Sequence, residues 1–200
     1  MRTGTLTVLL GLGVAACSTP TRPTSSDRGT MATGTALSAA PSGPATASTS
    51  GGGHFELTLA SGEIVDVQFG MTAVTTGAGG AAGHFTHRAV LGGLVVEFQG
   101  RVTCLAVDAV NRRAWVGGVI TQNTSEHPSF TTPRTQPGRD IWFRVLDSGE
   151  GQAVPDRSTF VGFEGDAGII TSQEYCDTKP WPLDNARTWP LVAGNIQIRP

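Results

Sequence analysis

The feature that most constrains the fold of this 200-residue chain is a period-two alternation of large apolar residues beginning just after His54. Phe55, Leu57 and Leu59 fall on one face of a first strand, and Val65, Val67, Phe69 and Met71 on one face of a second. Ser61-Gly62-Glu63 supplies the turn between them. Further strands are expected over residues 84–90, 94–107, 114–120, 141–145, 159–163 and 195–198, the long one bending at Gly100, because glycine inside a strand marks a bulge. The polar stretch 121–139, with Pro128, Pro133 and Pro137, reads as an exposed loop. The chain has 27 glycines and 12 prolines and is only 6% aromatic, which favours short strands and tight turns over helices. The expected fold is all-β, an antiparallel β-sandwich of about eight strands formed by residues 54–200 as one domain.

The region ahead of this domain has a different character. Met1-Arg2 precedes an apolar run from Leu6 to Ala16 that is too short to span a bilayer, the layout of a secretory signal. Its last residues, Val14-Ala15-Ala16-Cys17, resemble the bacterial lipobox: an aliphatic residue, two small residues, then the cysteine that becomes the new N-terminus. The resemblance implies a signal peptide over residues 1–16 and lipidation of Cys17, with a diacylglyceryl thioether on its sulfur and an acyl group such as palmitate on its amine. Several chains, at about 0.8 kcal/mol per buried CH₂, would hold the protein firmly at a membrane. Ser18 after the cysteine is the pattern of cargo passed to the outer membrane where a cell has two. The implied location is exported and lipid-anchored in the cell envelope. Residues 17–53 are almost wholly Ser, Thr, Pro, Ala and Gly, too poor in large apolar side chains to offset the entropy of ordering, so they are expected to form a disordered linker.

Two further cysteines, Cys104 in a strand and Cys176 in what reads as a late loop, form an even pair in a chain bound for an oxidising compartment. They are expected to be a disulfide worth about 4 kcal/mol. The segments Gly83-His84-Phe85, Arg101-Val102-Thr103-Cys104-Leu105-Ala106-Val107, Gly117-Gly118-Val119-Ile120-Thr121, Val145-Leu146-Asp147-Ser148-Gly149-Glu150 and Gly194-Asn195-Ile196 resemble uncharacterised exported β-sandwich modules of high-GC bacteria. That resemblance implies a fold and an exported location and carries no activity.

No motif points to catalysis, a cofactor or a metal. His84 and His87 are three apart in a strand and so point to opposite faces, and His54 and His127 sit in exposed settings. No G-x-S-x-G elbow occurs. Asn123-Thr124-Ser125 fits a glycosylation sequon but reads better as a surface loop. Asp147, Glu150 and Asp156 are the one local cluster of hard oxygen ligands; they lack EF-hand spacing and fit a solvated turn. Trp115 and Trp142 run out of phase with Val116 and Phe143, so either both sheet faces are covered, the favoured reading, or the rings lie open to stack on a sugar or peptide. Trp181 and Trp189 each precede proline, which favours extended backbone. A net charge of −2 with scattered arginines gives no basic stripe for nucleic acid. The expected role is therefore non-catalytic: envelope structure, or binding of an extracellular protein or carbohydrate. An exported hydrolase is the alternative, to be recognised by His84 or His87 beside a carboxylate and a Ser or Cys.

Overall fold

The computed structural model describes residues 46–200 apart from Ala78 and Gln152. The expected signal peptide, Cys17 and most of the expected linker lie outside the described residues. Strand β1 (Ser48–Thr58) begins ahead of the boundary expected at His54 and pairs with β2 (Ile64–Thr75) along its whole length, Ser48 opposite Val74. Residues 48–53 are thus strand, although their composition gave no apolar signal. Gly51, Gly52 and Gly53 lie between two neighbouring backbones, where small size rather than hydrophobicity is required.

The chain continues as a meander through β3 (Ala81–Leu91), β4 (Leu94–Asp108), β5 (Arg113–Asn123) and β6 (Asp140–Leu146), each antiparallel to the one before. The single strand expected over residues 159–163 is instead two short ones, β7 (Arg157–Ser158) and β8 (Gly162–Phe163), both on β6. The last strand, β9 (Trp189–Arg199), pairs with β7 on one side and β1 on the other. The ring β1-β2-β3-β4-β5-β6-β7-β9 closes on itself, and β8 is an extra strand outside that ring.

The all-β antiparallel expectation holds, but the architecture is a closed barrel rather than a sandwich. Alternation cannot separate the two, because each buries one face of every strand. Curvature decides. Gly51 (φ 146°), Gly83 (φ 147°) and Gly194 (φ 121°) hold backbone geometry that disfavours side chains, and a Cβ on them would fall 2.2, 2.0 and 2.2 Å from a backbone oxygen of the neighbouring strand. The β4–β5 register shifts at Gln99/Gly100 and again between Val102 and Cys104, placing the expected bend where glycine marked it. Phe85, opposite Gly100, lays its ring over that glycine; a methyl there would sit 2.0 Å from the ring.

An eight-stranded barrel is just wide enough for side chains to fill it. Phe55, Val67, Phe69, Phe85, Phe98 and Phe143 are among those that do, all buried. Outside the barrel wall a second cluster, Trp115, Trp142, Ile169 and Tyr175, covers β5 and β6, which are therefore buried on both faces. The covering reading of Trp115 and Trp142 is the one observed.

Cys176, expected in a loop, lies on a short helix, α1 (Ser172–Thr178). Thr171 caps it by accepting from the Glu174 N–H, and the Glu174 carboxylate accepts from the Ile170 N–H at 2.9 Å. This Thr-x-x-Glu arrangement is close to a capping box and was available in the sequence. Asp140 at the start of β6 holds the helix in place by accepting from the Ser172 N–H and hydroxyl. Cys104 and Cys176 are bonded, linking α1 to β4.

The acidic loop after β6 closes the barrel where β7 is too short to do so. Past Pro190, strand β9 has no β7 residue beside it. There the Ile196 N–H donates to the Asp156 carboxylate at 2.7 Å and the Ile198 N–H to that of Asp147 at 3.0 Å. The remaining oxygens of Asp156 and Asp147 accept from the Ser148 and Gly149 N–H groups, and Glu150 accepts from the Gln197 amide. These carboxylates act as strand-edge acceptors.

Candidate functional site

Burying β6 on both faces places an arginine where the alternation would put a side chain facing outward into solvent. Arg144 is completely buried between the barrel and the segment of residues 180–188. No carboxylate pairs with it among the described residues. Its guanidinium instead donates to the Pro180, Trp181 and Ala186 carbonyls. Arg113, also buried, donates to the Asp184 carbonyl and to the Asn185 side chain. Arg157 donates to the Thr188 hydroxyl and carbonyl at 2.9 and 2.7 Å, and the Trp115 indole N–H donates to the Pro180 carbonyl at 3.0 Å. Burial pulls both the Arg113 and Arg144 guanidinium groups below their ordinary value.

This clamp holds a strained backbone. Trp181 (φ 55°) and Arg187 (φ 59°) adopt left-handed conformations, so the extended geometry expected for Trp181 before Pro182 is not found. Ala167 (φ 58°) is a third such residue, on the facing loop. Each costs on the order of 1–3 kcal/mol and persists only where surroundings over-determine it. All three line one pocket.

That pocket has a volume of about 560 Å³ and lies where β7 and β9 diverge, beyond their last pair at Ser158 and Trp189. Trp142 and Tyr175 form its floor, their rings stacked at 5.7 Å and 22°. Trp181, Trp189 and Phe160, each half-buried, form walls, and Trp189 is braced from behind by stacking on Phe55 at 6.0 Å. Gly162 crosses above the Trp142 indole nitrogen; a Cβ there would lie 2.4 Å from it, so only glycine leaves the N–H edge uncovered. Burial pushes the Tyr175 phenol up, which keeps it a hydroxyl donor. Asp166 on the facing loop is already committed, 3.2 Å from the Arg134 guanidinium and accepting from the Phe163 N–H. Arg187 is exposed at the rim with its guanidinium 5.0 Å from the Trp181 ring centre. The arrangement can stack a ring, hydrogen-bond its edge and attract a negative charge.

The histidines are not brought to this pocket. His84 lies on the outer face of the barrel, where its ring nitrogen meets the Thr72 hydroxyl at 3.2 Å. His127 accepts from the Ser129 N–H and caps a 3₁₀ turn, and His54 lies within β1. His87 points into the barrel, on the face opposite His84, as the spacing required. Both its ring nitrogens are buried without a partner, among Phe69, Phe85 and Phe143, the last at 4.8 Å. The grouping expected for a hydrolase, His84 or His87 beside a carboxylate and a Ser or Cys, does not form among the described residues. Nor do three metal-ligating side chains converge there. The Asn123 amide donates to the Phe130 and Thr135 carbonyls, both at 2.8 Å, and so serves to knot the loop after β5.

Burial lowers the His87 pKa from 6.5 to about 3. The unfolded chain therefore takes up a proton near pH 6.5 that the folded chain refuses until about pH 3. Stability from this group is intact above pH 6.5 and falls by about 1.4 kcal/mol per pH unit below it. Urea unfolding should show the wild type losing about 3 kcal/mol more between pH 7 and pH 4 than a His87→Leu variant. Equal losses in the two would contradict this assignment.

Comparison with known proteins finds no matching protein family, no similar curated protein and no similar solved structure. The reading of the site rests on its own chemistry. Sequence reasoning reached the four tryptophans but missed Arg144, Tyr175, Phe160 and Arg187. The sharpest missed signal was Arg144 in the middle of an apolar strand, a charge that needs acceptors from elsewhere in the chain.

Proposed function

We propose that this chain is an exported lipoprotein, tethered through Cys17 by a Ser/Thr/Pro/Ala/Gly linker, whose barrel binds a small extracellular ligand without chemically changing it. The observation that carries the binding half is the aromatic pocket bounded by Trp142, Tyr175, Trp189 and Trp181, the last on a segment held by buried arginines. Its volume of about 560 Å³ falls in the range of small-molecule sites, roughly 300–1,000 Å³. Rigid aromatic walls with a few polar edges recognise a ring by shape and stacking. The concave form favours a saccharide over a broad protein surface. The tethering half rests on Val14-Ala15-Ala16-Cys17, on Ser18, and on a domain that contains a disulfide, a bond typical of exported proteins. Attachment to the envelope, at the outer membrane where there is one, would keep the pocket outside the cytoplasm.

Two measurements test the two halves. A fatty-acid probe supplied to the producing cells should label the wild type and leave Cys17→Ala unlabelled; equal labelling of both would overturn the tether. Amide chemical-shift mapping with saccharide and peptide fragments should place perturbations around Trp142, Tyr175 and Trp181. Perturbations confined to other surfaces would overturn the assignment of the pocket.

A further inference from the structure

Resting on the reading of the pocket as a ligand site, we infer that its ligand is an acidic saccharide, a pyranose ring carrying a carboxylate. Three observations converge on that class. The walls are the half-buried rings of Trp181, Trp189 and Phe160, which suit the C–H face of a sugar ring, and the buried Trp142–Tyr175 stack supports them from the floor. The polar groups offered at the floor are donors. Trp115, the neighbouring indole, gives its N–H to the Pro180 carbonyl, whereas the Trp142 N–H and the Tyr175 hydroxyl have no protein acceptor among the described residues. Gly162 leaves the Trp142 edge uncovered. Hydroxyl and ring oxygens of a saccharide are the complementary acceptors.

The charge at the rim selects among saccharides. Of the two charged residues lining the pocket, Asp166 is neutralised by Arg134 and by the Phe163 N–H. Arg187 has no carboxylate within ion-pair distance among the described residues, and it stands on the Trp181 ring that forms the adjacent wall. Its backbone is held in a left-handed conformation at φ 59° between Ala186 and Thr188, whose carbonyls accept from buried Arg144 and half-buried Arg157. A guanidinium beside an aromatic wall, carried on a restrained backbone, matches a ring whose carboxylate projects from its edge, since guanidinium pairs with carboxylate in a planar, two-bonded geometry. A cationic ring would be repelled, and a neutral one would leave Arg187 unused.

The test uses the full chain in mild detergent, with tryptophan fluorescence and amide chemical shifts as readouts. The probes are a galacturonic-acid tetrasaccharide, its methyl ester, which removes only the charge, and benzoate as an aromatic anion that is not a sugar. The acid should bind saturably and shift the amides of Trp142, Tyr175 and Trp181. It should bind at least tenfold tighter than the ester, and the preference should shrink as ionic strength rises. Arg187→Gln, at an exposed position away from the barrel core, should erase the preference, so that acid and ester bind this variant equally, with the melting temperature unchanged. Equal affinity of the wild type for acid and ester, or a preference that survives Arg187→Gln, would overturn the acidic class and leave the pocket standing as a sugar site. Pocket shifts with benzoate but with neither saccharide would overturn the sugar and keep the pocket. Shifts elsewhere with all three would overturn both.

Discussion

Replacing Arg144 with alanine is expected to cost about 3–5 kcal/mol of folding stability and to release the segment of residues 180–188. The side chain is completely buried, and its guanidinium answers three backbone carbonyls, those of Pro180, Trp181 and Ala186. Removing it leaves these acceptors in a dry interior, and an unsatisfied buried carbonyl costs on the order of 1–3 kcal/mol. It also removes the restraint that holds Trp181 and Arg187 in their left-handed conformations. Arg144→Lys should recover little, because an ammonium lacks the planar fork that reaches carbonyls on two sides. Urea unfolding gives the stability, and hydrogen exchange at Trp181 and Arg187 reports the loop. A loss below about 1 kcal/mol with both amides still protected would show that the barrel and α1 position the segment unaided.

The second large effect belongs to the bridge between Cys104 and Cys176. Its two residues are 72 apart in sequence, and a cross-link over that distance removes about 4 kcal/mol worth of chain entropy from the unfolded state. A Cys104→Ala, Cys176→Ala double variant should therefore melt about 8–16 °C lower, at the usual 2–4 °C per kcal/mol for a domain of this size. The loss should not be evenly distributed. Tyr175 precedes Cys176 on α1 and stacks on Trp142, so the pocket floor depends on the helix that the bridge ties to β4. Ligand affinity measured below the melting transition should fall along with stability. An unchanged melting temperature would mean that the Thr171 cap and the bonds of Asp140 to Ser172 hold α1 without the bridge.

The bridge was legible from the even pair of cysteines in the domain, whereas nothing in the strand pattern showed what Arg144 holds. Alternation at Phe55, Leu57, Val65, Val67, Phe69 and Met71 set which side of each strand is buried, because one face of a half-exposed sheet must be apolar whatever the sheet's overall shape. It also separated His84 from His87, one outside and one inside the wall. Gly100 marked a bend from sequence alone, since a glycine within a strand of bulky residues leaves a gap that a cross-strand ring can fill.

Closure of the sheet was decided by long-range pairing: β9 returns to lie beside β1, across contacts that no local window contains. The same separation hid the pocket. Trp142 and Tyr175 are joined through a helix whose cap was legible but whose docking was not, and Trp181 and Arg187 acquire their positions from arginines on β5 and β6. Local physics sets period, turns and caps, because those energies lie between residues a few positions apart. A site assembled from carbonyls 31 to 71 residues away from their donors exists only once the barrel has closed and excluded water from them.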